Sequence, residues 1–236
     1  MVVTIKNLSI HKSKNQRVIL MKEGDFVRID YVGRIKGSGE IFDLTKEDVA
    51  RKNGIYNPNM NYKPVPIIIG ARMVIKGLED ALKKMKVGER KKIVVEPEDG
   101  FGKRNEKLIK LLPLSEFQRK DIIPQPGMWI TVNNLRGKVL SVSGGRVKVD
   151  FNHPLAGKRL EYDVEIKEKI TDTKEKIKSI FEFFLGKEPN LEVTVKEKEA
   201  IIKIKEDIPR QAKLFISQII KRWVKPIENI KFVEEF

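Results

Sequence analysis

The stretch VPIIIGARMVIKGLEDALKKMKVGERKKIVVEPEDGFG, residues 65–102, carries the reading of the fold. VPIIIG is a short apolar run closed by Gly70, the pattern of a buried strand. From Gly77 onward, Leu78, Ala81, Leu82 and Met85 recur at helical spacing. Glu79 and Asp80 fall in the first turn of that helix, and Lys83, Lys84 and Lys86 in its last. This order complements the helix dipole, and Gly88 is a natural stop. Residues 90–95 read as a second strand. The stretch ends on Phe101, set between Gly100 and Gly102. An aromatic ring with no side chain on either neighbour is either core or the wall of a site.

Upstream, FVRIDYVGRI (26–35) alternates, with Val27, Ile29, Tyr31 and Ile35 on one face and Arg28, Asp30 and Arg34 on the other. This predicts a half-buried strand. KGSGE (36–40) is a turn, and IFD (41–43) resumes an extended chain. Residues 44–64 are polar and turn-rich, with room for a short helix at 45–52. Downstream, LEYDVEI (160–166) alternates again and reads as a strand returning to the first sheet.

Between these elements the character changes. Residues 103–148 hold an apolar cluster (Leu108, Ile109, Leu111, Leu112, Leu114, Phe117), strands near 128–133 and 137–142, and a Gly144-Gly145 hairpin turn into RVKVDF. Residues 170–236 form another unit. Asp172 and Glu175 make a capping-box start, and Ile177, Ile180, Phe181, Phe184 and Leu185 form a helical stripe that stops at Gly186. LEVTV (191–195) and AIIKI (200–204) pair as a hairpin. Pro209 opens a second helix, and a strand near 228–234 closes an α-β-β-α-β order. A unit of this size is too small for comfortable independent stability, so it is expected to dock or to form a homodimer.

Composition narrows the chemistry. The 236 residues include 34% charged residues, above the roughly 25% of an average globular protein. Lys and Glu dominate and Cys is absent, which suits a reducing cytosol and leans toward a heat-adapted source. His11 and His153 are the only histidines, which argues against a zinc site or a Ser-His-Asp triad, and no metal or cofactor is expected. No phosphate-binding loop and no nucleophile elbow is present. No apolar run is long enough to cross a membrane, and no secretory signal is visible, so a cytoplasmic protein is expected. Residues 1–20 read as a β-ribbon or a disordered arm, with Met21 as an alternative start. The net charge is +15, and residues 103–148 hold ten basic against three acidic residues. That segment reads as a solubilising surface or as a face for a polyanion, such as ribosomal RNA or an acidic client.

YVGRIKGSGEIFD (31–43), VPIIIG through GFG (65–102) and NHPLAGKRLEYDVEI (152–166) resemble the FKBP-type peptidyl-prolyl cis-trans isomerases. NHPLAG is similar to the SlyD-like and archaeal long-type members, in which a chaperone domain is inserted in the flap over the site. The resemblance implies an α+β fold: an FKBP-like antiparallel half-barrel sheet wrapped on one helix, a small mainly-β insert-in-flap domain and a small α+β C-terminal domain. The implied divisions are an N-terminal extension (1–20), the isomerase domain (21–102 and 149–169), the insert (103–148) and the C-terminal domain (170–236). The implied activity is isomerisation of X–Pro bonds in unfolded or partly folded polypeptides, with holdase activity from the insert. The alternative is a non-catalytic peptide-binding chaperone, ribosome-associated through the basic insert.

By motif position, the resemblance places Tyr31, Phe42, Asp43, Val65, Val74, Ile75, Leu78, Phe101, Leu155 and Tyr162 around an apolar pocket. Asp43, oriented by Tyr31, would face the turning carbonyl. Val74, Ile75, Leu78 and Tyr162 would hold the proline ring, Phe101 would form a wall and Leu155 would close the top. Leu78 stands where the best-studied eukaryotic members carry Trp, and Phe101 where they carry Tyr. The implied floor is roomier, and a hydroxyl donor is missing. In the insert, Leu108, Ile109, Leu111, Leu112, Leu114 and Phe117 are expected to capture unfolded chain.

Overall fold

The computed structural model describes residues 20–132 and 134–234, so the N-terminal extension lies outside the described residues except for Leu20. The chain runs through β1 (Phe26–Ile35), β2 (Ile41–Leu44), α1 (Glu47–Lys52), β3 (Val65–Ile68), α2 (Lys76–Leu82) and β4 (Arg90–Val95). Next come β5 (Ile109–Pro113), α3 (Leu114–Gln118), β6 (Trp129–Val132), β7 (Leu135–Ser143) and β8 (Arg146–Asp150). It finishes with β9 (Leu160–Ile170), α4 (Thr173–Leu185), β10 (Leu191–Lys196), β11 (Glu199–Ile204), α5 (Arg210–Trp223) and β12 (Asn229–Glu234).

The first sheet is antiparallel, in the order β2-β1-β9-β4, with β3 pairing the first half of β1 on the same side as β2. The inner face wraps α2. Val27, Ile29, Ile67, Ile69, Val164 and Ile166 close on Leu78, Leu82 and Met85. Alternation along β1 puts Phe26, Arg28, Asp30 and Val32 on the opposite face. The sequence predicts that face to be open, and the structure corrects this: it is covered at both ends. Phe26, with Ile68 and Ile170, packs into the core of the C-terminal unit against Ile177, Ile180 and Phe181, and Val32 meets Leu44 and Ala50. Arg28, between them, makes a bidentate pair with Glu182 of α4 at 2.9 and 2.7 Å.

The C-terminal unit keeps its expected order. Asp172 accepts a hydrogen bond from the Glu175 amide at 2.9 Å, and Gly186 ends α4 in the left-handed region (φ +69°). Its sheet pairs β10 and β11 antiparallel, and β11 and β12 in parallel. The unit docks on the outer sheet face and so completes its core within the same chain.

The third sheet has the order β5-β8-β7-β6. It starts at Ile109, within what the sequence presents as an apolar cluster, and runs to Asp150. Phe117, Ile130, Val139, Val147 and Val149 form its core. Two asparagines tie its neck. The Asn105 amide donates to Asn152 Oδ1 at 2.8 Å, and Asn152 Nδ2 donates to the Asn105 carbonyl at 2.9 Å. Among the described residues, no helix is long and apolar enough to cross a membrane.

Candidate active site

The candidate pocket lies between the inner sheet face and the start of α2. Asp43, Gly33, Tyr162 and Ile93 are successive cross-strand neighbours on β2, β1, β9 and β4. The β1–β2 register slips between Gly33 and Arg34, leaving Phe42 as the extra residue of a bulge. The bulge turns Phe42 onto the face that Asp43 occupies. A Cβ at Gly33 would stand 2.7 Å from Phe42 Cζ, so only glycine admits the ring there. Phe42 meets Tyr162 edge-on with centroids 5.7 Å apart, and Tyr31 lies 5.9 Å from Tyr162.

The Tyr31 hydroxyl donates to Asp43 Oδ2 at 2.7 Å. Burial pushes the Tyr31 phenol far above its ordinary range, and the Asp43 carboxylate raises it further. Burial likewise raises Tyr162, again helped by Asp43. Both phenols stay protonated, so Tyr31 remains a donor and Asp43 an acceptor. Asp43 itself is exposed at the rim.

Leu78 is buried in the cluster under these rings, and Val65, Val74, Ile75, Phe101 and Leu155 are partly buried against it. Nine of the ten residues that the resemblance assigns to the pocket thus fall in one apolar cluster, and Asp43 joins it through the Tyr31 hydroxyl. The structure also revises the role of a neighbour, Glu79. Glu79 reads from sequence as a solvent-facing dipole partner. It is buried, and its Oε1 accepts the Gly70 amide at 2.7 Å and the Arg72 amide at 3.3 Å. Arg72 has φ +57°, a conformation that costs free energy unless its surroundings hold it. Glu79 thus pins the turn that delivers Val74 and Ile75. Replacing it with Gln keeps an acceptor but removes the charge assistance, and is expected to cost about 1.5 kcal/mol in a denaturant melt. The helix also stops sooner than its stripe suggests. α2 ends at Leu82, so Lys83, Lys84, Lys86 and Gly88 lie beyond it and are not its last-turn cations and stop.

His153 is the residue missed in the sequence. Its ring stacks on Phe101 with centroids 4.3 Å apart and planes 1° from parallel. Its Nδ1 accepts the Leu155 amide at 3.1 Å. Gly157 donates to the Gly102 carbonyl at 2.8 Å and seats the flap on the Gly-Phe-Gly turn. One face of Phe101, which looks unshielded in the sequence, is therefore covered. The signal was the NHPLAG motif, although nothing local says what its histidine touches.

In the insert, the six predicted capture residues divide. Leu108 and Leu111 are exposed, the latter 61%. Phe117 is 4% exposed and belongs to the insert's own core, with Leu112 and Leu114 packed against it, so these three correct the expectation; Ile109 is half-buried. The sequence reading passed over Ile123, Met128, Trp129 and Leu135, all of which are exposed.

Comparison with known proteins agrees with this geometry. Residues 19–118 match the family model described as FKBP-type peptidyl-prolyl cis-trans isomerase, and residues 110–155 match that of the FKBP26 IF domain. The short-type peptidyl-prolyl cis-trans isomerase of Methanocaldococcus jannaschii is 38% identical over 149 residues, 63% of this chain and 94% of that protein. A probable FKBP-type 16 kDa isomerase of Pseudomonas fluorescens is 35% identical over 108 residues, 44% of this chain and 71% of its own length. The FKBP-type isomerase SlyD of Helicobacter pylori is 30% identical over 143 residues, 58% of this chain and 69% of its own. With an aromatic cluster on a sheet-and-helix scaffold and a relative covered almost end to end, this chain belongs to the FKBP-type peptidyl-prolyl cis-trans isomerases.

Proposed function

We propose that the pocket isomerises X–Pro bonds of unfolded polypeptides without a nucleophile, and that the insert holds those chains near it. The observation that carries the catalytic reading is the 2.7 Å Tyr31–Asp43 hydrogen bond at the rim of an apolar pocket. An X–Pro amide resists twisting through resonance, with a barrier of about 18–20 kcal/mol. The planar amide is the more dipolar state, and water stabilises it. Transfer to an apolar pocket removes that stabilisation, and a twisted amide loses less. Val74, Ile75, Leu78 and Tyr162 hold the proline ring, Phe42 and Phe101 wall it and Leu155 closes the top. Asp43 is the catalytic residue: its carboxylate faces the carbonyl as it turns and favours the twisted geometry. Tyr31 is a positioning residue that fixes the carboxylate.

Phe101 supplies a wall without a donor. A Phe101→Tyr variant is expected to raise kcat/KM in a protease-coupled tetrapeptide assay by up to about tenfold, the value of one net hydrogen bond. An unchanged rate would mean that the His153 stack already sets the ring where no substrate carbonyl reaches it.

Holdase activity of the insert is supported by Leu108, Leu111, Ile123, Met128 and Leu135, which expose apolar surface beside a small core of their own. Weak multipoint capture raises the effective concentration of X–Pro bonds at the pocket.

A further inference from the structure

The flap over the prolyl pocket has a second side. Leu155 packs into the pocket cluster and His153 stacks on Phe101, while Pro154, Ala156 and Lys158 line a cleft of about 370 Å³ between flap and insert. The opposite wall is the outer face of the insert sheet. Trp129, Lys138 and Asp150 are cross-strand neighbours in one row and all three line the cleft. Side chains two residues along a strand share its face, so Arg136 and Lys148 continue this surface, and Leu111 lies opposite Lys148 on β5.

The charge of this face is unbalanced. Asp150 is held by Arg104 at 2.6 Å, so the pair is internally neutral. Arg136 lies over the Trp129 ring at 4.7 Å and keeps its charge. Among the described residues, Lys138, Lys148 and Lys158 have no carboxylate within ion-pair distance. Glu40 is the other carboxylate in the cleft lining. Cations, an exposed indole and the 61% exposed Leu111 together suit a chain that carries both carboxylates and apolar groups.

We propose that this cleft binds the stretch of client polypeptide next to the X–Pro bond and selects flanks that carry Asp or Glu. The proposal rests on the reading of the pocket as the prolyl site. A chain with its proline under Leu155 has its next residues at the flap, and a few extended residues of about 3.3–3.6 Å each cross it. A polynucleotide would use the cations but leave Leu111 in water, which is why a polypeptide is favoured.

The test uses the full chain and two fluorescent X–Pro peptides of roughly 12 residues, long enough to cross the flap. One has Asp in the positions flanking the prolyl bond, the other Lys. Affinity is read by anisotropy and isomerisation by kcat/KM. The Asp peptide is expected to bind about fivefold more tightly at low salt, with the preference lost in ~0.5 M NaCl. Lys138→Glu is expected to abolish or invert the preference, and Lys221→Glu on α5 to leave it intact. Equal affinity for both peptides overturns the proposal, as does an equal response to the two charge reversals. Tight binding of a single-stranded RNA that is lost in Lys138→Glu, with both peptides bound alike, would also overturn it and assign the face to nucleic acid. Anisotropy needs no turnover, so failure to isomerise a tetrapeptide would sink the catalytic reading while the affinities still decide the subsite.

Discussion

Replacing Asp43 with Ala is expected to lower kcat/KM for a prolyl tetrapeptide about a hundredfold, the usual cost of removing one preorganised electrostatic group. Asp43 sits across β1 from Tyr162 in a row that the sheet register holds, so the pocket survives the loss of this one side chain. The Asp43 carboxylate is exposed and carries no packing load, so stability should change little and the effect should fall on turnover. Tyr31→Phe keeps the ring against Tyr162 and removes only the 2.7 Å bond, and a two- to tenfold loss is expected, about one net hydrogen bond. Nearly full activity in Asp43→Ala would show that desolvation alone lowers the barrier. A Tyr31→Phe loss as large as that of Asp43→Ala would mean that the hydroxyl itself meets the substrate.

Removing the insert is expected to separate two activities. The neck asparagines mark where to cut. Deleting 106–151 behind a short Gly-Ser link keeps Asn105 and Asn152, whereas a cut at 148 would strand Val149 and Asp150 without their partners on β5 and β7. Catalysis of refolding of a proline-limited protein should fall at least about thirtyfold, because the effective concentration supplied by capture disappears. Tetrapeptide turnover should fall less than about threefold, since the pocket residues lie outside the cut. A milder variant, Leu111→Asp with Ile123→Asp, leaves the insert core of Phe117, Val139, Val147 and Val149 in place and should reproduce most of the refolding loss. Equal losses on both substrates would sink the capture model.

Where the residues' own pattern was the cause, the sequence was a good guide. The alternation of 26–35 and 160–166 produced β1 and β9, and Asp172 and Gly186 bounded α4 because caps act within a few residues. The pocket residues were read through the family resemblance, and the apolar ones share one cluster. Errors arose where a side chain's partner is remote or its local propensity is overruled. Glu79 has the spacing of a solvated first-turn acid, but two loop amides across the β3–α2 turn claim it. Phe117 looks the same as Leu111 in an apolar run. The β5–β8 register and α3 put one into the core and the other outside.

Strand and helix order outside β5 and α3, the capping of α4 and the basic bias of the insert followed from the amino-acid sequence itself, because periodicity and turn residues act along the chain; the pocket residues came through the family resemblance. Three features were decided only by tertiary structure: the cover over the outer face of β1, the His153 stack on Phe101, and the side of the insert on which its cations collect. Each depends on which surfaces meet between residues far apart in the chain, or on the register that sets a strand's faces, and neither is written in the neighbours of any one residue.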